Sequence, residues 1–198
     1  MTKTFLQALI YTCLIATYSS CQEKKAVYNT EAIQFNDKAV EFIKTQNFDS
    51  ALIYLNKATE IDTTYYVAYG NKCSVYCSLK DFRKALAETQ KEITVKPDLA
   101  EAWTFAGMLN DKLGDTLNAI KCYKKSIEIF DDRISNPDKE KYLVANKLNR
   151  AISLILMGQE ETGQNELKKL KDANPNDKSL DDFLNLSKKE YLNQIFND

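Results

Sequence analysis

Catalysis near neutral pH needs groups that trade protons or donate electron pairs, and this sequence is short of them. None of its 198 residues is a histidine. Ser-His-Asp and Cys-His nucleophilic sites, HExxH zinc sites and His-ligated iron are therefore excluded. Paired carboxylates are the acid–base chemistry that remains. Asp131-Asp132 and Asp181-Asp182 are such pairs, but adjacent residues on a helix point apart and do not converge on a substrate. The cysteines add little. Cys13 and Cys21 lie near the N-terminus, and Cys73, Cys77 and Cys122 form an odd set that argues against a disulfide framework. Cys73 and Cys77 stand four apart, on one helix face, yet without histidine or further nearby ligands they read as small buried hydrophobes rather than a zinc site. No catalytic residue, metal or cofactor is expected. With 27 Lys+Arg against 28 Asp+Glu the net charge is −1, which leaves no surplus of cations for nucleic acid. The chemistry of the residues points to binding.

The first twenty residues differ from the rest. Lys3 is their only charge, and Phe5 to Ala16 is a mostly apolar run of about 12 residues, well short of the roughly 20 that span a bilayer. A short positive start, a short apolar stretch and then small residues describe a secretory signal. Ser19 and Ser20 stand directly before Cys21. This resembles the lipobox of bacterial lipoproteins, although Tyr18 occupies a place usually held by an aliphatic residue. The resemblance implies a signal peptide over 1–20, lipidation at Cys21 and a polar tether over 21–31. It also implies anchoring in the cell envelope, with Gln22 favouring the outer membrane of a diderm bacterium. An ordinary secretory signal cleaved nearby and an uncleaved anchor are the alternative readings.

The remainder carries an internal period. Steps of 34 residues carry Trp103 back to Tyr69 and Phe35, Asn110 to Tyr76 and Phe42, and Ala119 to Ala85 and Ala51. Gly107, Cys73 and Ala39 align at the same step. Each unit reads as two amphipathic helices, with apolar residues three and four apart. Gln46-Asn47, Gly114 and Gly158 fall at the turns between helices, and Pro97 and Pro175 fall after second helices. The pattern resembles the tetratricopeptide repeat, a 34-residue helix–turn–helix unit. It implies an all-α, right-handed α-solenoid over 32–177, with repeats at 32–65, 66–99, 100–133 and 144–177. The last of these departs from the signature at Lys147 and Arg150. Small residues are expected where the paired helices cross closely, because a large side chain there would force them apart. About ten residues, 134–143, are inserted before the fourth unit, and Asn136-Pro137 reads as the start of a long helix from Asp138 to Met157. Ser179 with Asp182 resembles a capping box, opening one amphipathic helix that caps the solenoid over 178–198. The same helix read as a docking element for a partner or a second copy is the rival view.

In this family the first helices of successive repeats line a concave surface that binds peptides or partner helices. Carried onto this chain, that surface presents Asn36, Val40 and Ile43, then Asn71, Ser74 and Cys77, then Glu101, Thr104, Phe105, Met108 and Asp111. The fourth unit adds Leu148, Asn149, Ile152 and Ile155. The carboxylate clamp that some relatives use for a peptide C-terminus requires basic residues where Glu101 and Phe105 stand, so it is not expected here. Phe105 and Met108 suit an apolar anchor, while Asn36 and Asn71 suit a peptide backbone; about half of these residues are expected to pack against the next helix instead. The charged stretches 121–126 and 166–172 read as solvated convex surface. The resulting expectation is a non-catalytic, lipid-anchored scaffold for an envelope protein, with a self-associating element that forms a homodimer as the alternative.

Overall fold

The computed structural model describes residues 28–136 and 142–196. Among them there is no strand. The helices are α1 (Thr30–Lys44), α2 (Phe48–Ile61), α3 (Tyr66–Ser78), α4 (Phe82–Val95), α5 (Ala100–Lys112), α6 (Thr116–Ser135), α7 (Leu143–Leu156), α8 (Glu160–Ala173) and α9 (Lys188–Phe196), with a 3-10 helix at Lys178–Phe183 before the last. The chain divides after Asp115 into two compact units. No described helix is long and apolar enough to cross a membrane. The signal, Cys21 and most of the tether lie outside the described residues.

One turn recurs between paired helices. Gln46, Lys80, Gly114 and Gly158 all take positive φ, at 57°, 59°, 84° and 96°. In each case two backbone N–H groups reach back into the helix just ended: Gln46 to Ile43 and Asn47 to Phe42, Lys80 to Cys77 and Asp81 to Tyr76, Gly114 to Asp111 and Asp115 to Asn110, Gly158 to Ile155 and Gln159 to Leu154. These paired bonds satisfy carbonyls that a helix end would otherwise leave without partners. The next residue then starts the following helix. Asn47 accepts from the Ser50 N–H and Asp81 from the Lys84 N–H, as N-caps do.

In the first unit α1 packs on α2, α3 on α4, α2 on α3 and α4 on α5, while α1 also meets α3. The core begins with Ala32, Ala39, Ile43, Ala51, Leu55 and Ala58, and Phe35, Phe42, Phe48 and Tyr54 close over it. Phe42 stacks on Tyr54 at a centroid distance of 5.4 Å. The small-residue ladder is buried: Ala39, Ala51 and Ala85 have no exposed surface and Cys73 almost none. Cys73, Cys77 and Cys122 are free thiols, and Cys73 accepts a hydrogen bond from Thr89 Oγ1 at 3.0 Å. Trp103 donates its indole N–H to the Pro97 carbonyl at 2.9 Å, which ties the start of α5 to the preceding turn. A buried ion pair joins Lys72 of α3 to Glu88 of α4 at 3.1 Å.

In the second unit α7 packs on α6 and α8. Gly163 of α8 sits so close to α7 that a Cβ there would lie 2.6 Å from the Ala151 carbonyl oxygen and 2.6 Å from Ile155. Arg150, which breaks the repeat signature, donates to Asp131 of α6 and to both oxygens of Glu166 of α8 at 2.6 Å. An ion-pair bridge across three helices thus replaces the expected apolar contact.

Two expectations are corrected. Part of the insertion extends α6 to Ser135, and α7 begins at Leu143 rather than in a long helix from Asp138; residues 137–141 lie outside those described. The final amphipathic stretch is not one helix either. Asp177, not Ser179, caps the 3-10 segment by accepting from the Ser179 N–H and Oγ. The chain then breaks at Asn185, whose φ is 65°. Gln164 of α8 holds the break, accepting from the Asn185 N–H at 2.8 Å and donating to the Phe183 and Leu186 carbonyls. A true capping box follows, in which Ser187 and Glu190 satisfy each other's N–H groups and open α9.

Candidate protein-binding groove

The residues expected to line the concave surface of the first three repeats all fall on α1, α3 and α5, in the first unit. Their surroundings differ. Val40, Ser74, Cys77, Phe105 and Asp111 keep partial exposure; so does Glu101 as a residue, but its Oε2 is shut from solvent. Asn36, Ile43, Thr104 and Met108 are buried. Thr104 returns its hydroxyl to the Ala100 carbonyl of its own helix at 3.2 Å. The two asparagines do not stand free side by side. Asn71 Nδ2 donates to Asn36 Oδ1 at 2.7 Å, joining α3 to α1 across the wall. Asn71 is the half-exposed member of the pair, and its carbonyl oxygen faces no described partner. Leu148, Asn149, Ile152 and Ile155 belong to the second unit, where Ile152 and Ile155 are core residues.

Sequence reading missed what lies between α3, α4 and α5. The ladder that runs through Ala58 and Ser126 has Glu92 between them, 34 residues from each. Ala58 and Ser126 are fully buried small residues, and Glu92 is only 6% exposed. The room for it comes from Gly70 of α3: a Cβ there would lie 2.8 Å from Glu92 Oε1. A glycine inside a helix costs about 1 kcal/mol relative to alanine, so Gly70 marks a close approach. The Glu92 side chain makes no hydrogen bond or ion pair among the described residues. Burial, and secondarily the neighbouring Glu101 carboxylate, pushes its pKa up to about 8. Tyr66 is pushed to about 12 by burial first and then by Tyr28, Glu92, Glu101 and Asp98. Tyr28 in turn packs against Tyr65 at 4.9 Å and edge-on to Tyr66 at 6.1 Å between ring centroids. Tyr28, Tyr65 and Tyr66 thus pack together, within electrostatic reach of Glu92 and of Glu101, which with Asp111 is one of two acidic residues among the expected groove positions. The signal was present in the sequence as a charge on a ladder of small residues and a glycine in mid-helix.

The comparisons with known proteins agree with this architecture. The family model "Tetratricopeptide repeat" matches residues 35–65 and 100–132, and the chain carries tetratricopeptide repeats. A FAM10 family protein of Arabidopsis thaliana is 33% identical over 112 residues, which is 56% of this chain and 25% of that protein; the match thus spans a quarter of the relative's length. The solved structure of PilW, a type IV pilus biogenesis factor, superposes with a TM-score of 0.56 at 22% identity, over 74% of this chain and 64% of that one. YrrB, a tetratricopeptide protein with an unusual peptide-binding site, superposes with a TM-score of 0.52 at 15% identity, over 75% and 72%. The fold is that of tetratricopeptide helix–turn–helix units with a C-terminal helix.

Proposed function

We propose that this chain is a non-catalytic protein–protein interaction scaffold that binds a peptide or helix of a cell-envelope protein on the face of α1, α3 and α5, and that a lipid on Cys21 anchors it to a membrane, the outer membrane being favoured. The observation that carries the binding part is the state of that face. Val40, Ser74 and Phe105 remain partly exposed on helices packed into the first unit, and Asn71, bonded to Asn36, keeps a carbonyl oxygen for a peptide N–H. Tetratricopeptide repeats act generally as such surfaces, and YrrB has a peptide-binding site on repeats of this fold. The anchoring part rests on the Ser19-Ser20-Cys21 pattern after a short apolar run, with acyl chains supplying about 0.8 kcal/mol per buried CH₂ in place of a transmembrane helix.

Two measurements test the two parts separately. Metabolic labelling with palmitate should mark the wild-type chain and not Cys21→Ser; label retained in the variant would remove the anchor. Ser74→Trp, which fills the face without entering the core, should abolish recovery of the partner on affinity purification while leaving the circular dichroism spectrum unchanged. Recovery at the wild-type level would move the binding surface elsewhere.

A further inference from the structure

We infer that the first repeat carries a second docking surface, apart from the groove, at which Lys38 and Lys57 receive an acidic side chain, a glutamate or aspartate of a partner protein, beside the Tyr54 ring.

The chain supplies its own template. A step of 34 residues carries Lys38, Tyr54 and Lys57 of the first repeat onto Lys72, Glu88 and Lys91 of the second. In the second repeat these positions form an ion triad, the Glu88 carboxylate lying 3.1 Å from the Lys72 ammonium and 2.9 Å from that of Lys91. In the first repeat both lysines are kept and the carboxylate is missing. Tyr54 stands in its place, stacked on Phe42 at 5.4 Å and tilted against Phe35 at 6.0 Å, so that its ring closes the seam between α1 and α2. Lys38 lies over this ring at 4.8 Å from the centroid and Lys57 at 5.4 Å. Both lysines are exposed, and neither makes a hydrogen bond or an ion pair among the described residues. Glu41 and Glu60, three residues further along the two helices, form no ion pair with them. A cation on an exposed ring is held by only about 0.5–1 kcal/mol and keeps N–H donors for a charge-assisted bond to a carboxylate.

The surface is separate from the groove. Lys38 is two residues from both Asn36 and Val40, which at 3.6 residues per turn puts it on the opposite side of α1. Phe35 and Phe42, partly buried beside Tyr54, offer apolar contact to the residues flanking the acid. A lipid surface fits less well. Glu31, Asp37, Glu41 and Glu60 are exposed on the same two helices, and an extended anionic surface would repel them, whereas a single side chain engages the two lysines alone.

The test presents a positional-scanning library of acetylated, amidated nonapeptides to the full chain, immobilised, at 0.15 M salt. Glutamate or aspartate should be enriched at least tenfold over glutamine and asparagine at one peptide position. Lys38→Gln/Lys57→Gln should lose that preference. Ser74→Trp, which fills the groove, should keep it, and so should Lys44→Gln/Lys124→Gln, which removes the same charge from other exposed positions. All variants are checked for folding by circular dichroism. No acidic preference, or one unchanged in Lys38→Gln/Lys57→Gln, overturns the inference. A preference lost in Ser74→Trp would assign the acid to the groove, overturning the inference while the groove reading stands. One lost equally in Lys44→Gln/Lys124→Gln overturns it as well, since net charge alone would then be responsible. A direct readout accompanies the selection: the side-chain resonances of Lys38, Lys57 and Tyr54 should shift on addition of the best peptide, and unchanged resonances would mean that the acid binds elsewhere. Two further outcomes would give the surface to another occupant and overturn the inference. One is sedimentation with phosphatidylglycerol vesicles that Lys38→Gln/Lys57→Gln abolishes; the other is a dimer, seen by light scattering, that the same variant dissociates.

Discussion

At the scale of single residues, two kinds of close approach have consequences that can be measured. Gly163 lies against the α7 backbone, and the atom a Cβ would strike first is a carbonyl oxygen, which cannot rotate away. Overpacking of this kind typically costs about 1–3 kcal/mol, so Gly163→Ala should lower the urea midpoint of unfolding accordingly. The inter-helix turns act in the opposite direction. Gln46 and Lys80 hold positive φ without being glycine, a conformation that disfavours a residue with a Cβ by roughly 1–2 kcal/mol, partly offset by the chain entropy a glycine adds to the unfolded state. Gln46→Gly and Lys80→Gly should therefore each raise the melting temperature slightly, whereas Gly114→Ala, at φ 84°, should lower it. Glu92 adds a dependence on pH. Its carboxyl ionises in the unfolded chain near 4.5 but in the folded chain only at about 8. Below 4.5 both states hold the proton and nothing is lost. Between those values the folded state alone holds it, so stability falls as pH rises, by up to about 1.4 kcal/mol per unit. Glu92→Gln, which cannot ionise, should flatten this decline in urea titrations run from pH 5 to pH 8. Equal slopes for variant and wild type would contradict the burial described for the carboxyl.

At the scale of elements, what the sequence made legible was whatever repeats. The aromatic and small-residue ladders of the first three units fall on six of the helices, α1 to α6, because each position of a repeat meets the same neighbours and is restricted to the same size. What stayed hidden depends on contacts made once. The break in the C-terminal segment is an example: Leu180, Phe183, Tyr191 and Ile195 fit one helical face, but Gln164 offers hydrogen bonds to the backbone at 183, 185 and 186 that a continuous helix could not accept. The real helix start, Ser187 with Glu190, was visible as an S-x-x-E pattern and passed over for Ser179 with Asp182. Loss of that capping box is expected to cost about 0.5–2 kcal/mol, felt locally. Ser187→Ala should speed amide exchange through α9 while leaving α7 and α8 protected; unchanged exchange would show that packing of Phe196, rather than the cap, holds the helix. The extension of α6 to Ser135 was hidden for a similar reason, since its residues belong to no repeat and carry no period to read.

At the scale of the whole molecule, the sequence indicated a candidate binding face but not its chemistry. Family geometry placed Val40, Ser74 and Phe105 on a partly exposed face, yet it could not show that Asn36 and Asn71 bond to each other or that Thr104 and Met108 are buried. The buried acid was invisible to a reading that looked only along first helices, because Glu92 comes from a second helix. The central claim is that partners engage the face of α1, α3 and α5 and not the outer side of the second helices. In-cell photo-crosslinking addresses it most directly, with a photoreactive residue in place of Phe105 and, as the comparison, in place of the exposed Lys125 of α6. A discrete adduct with another protein from position 105 and none from position 125 is the predicted result. Adducts from 125 alone, or equal adducts from both positions, would contradict it.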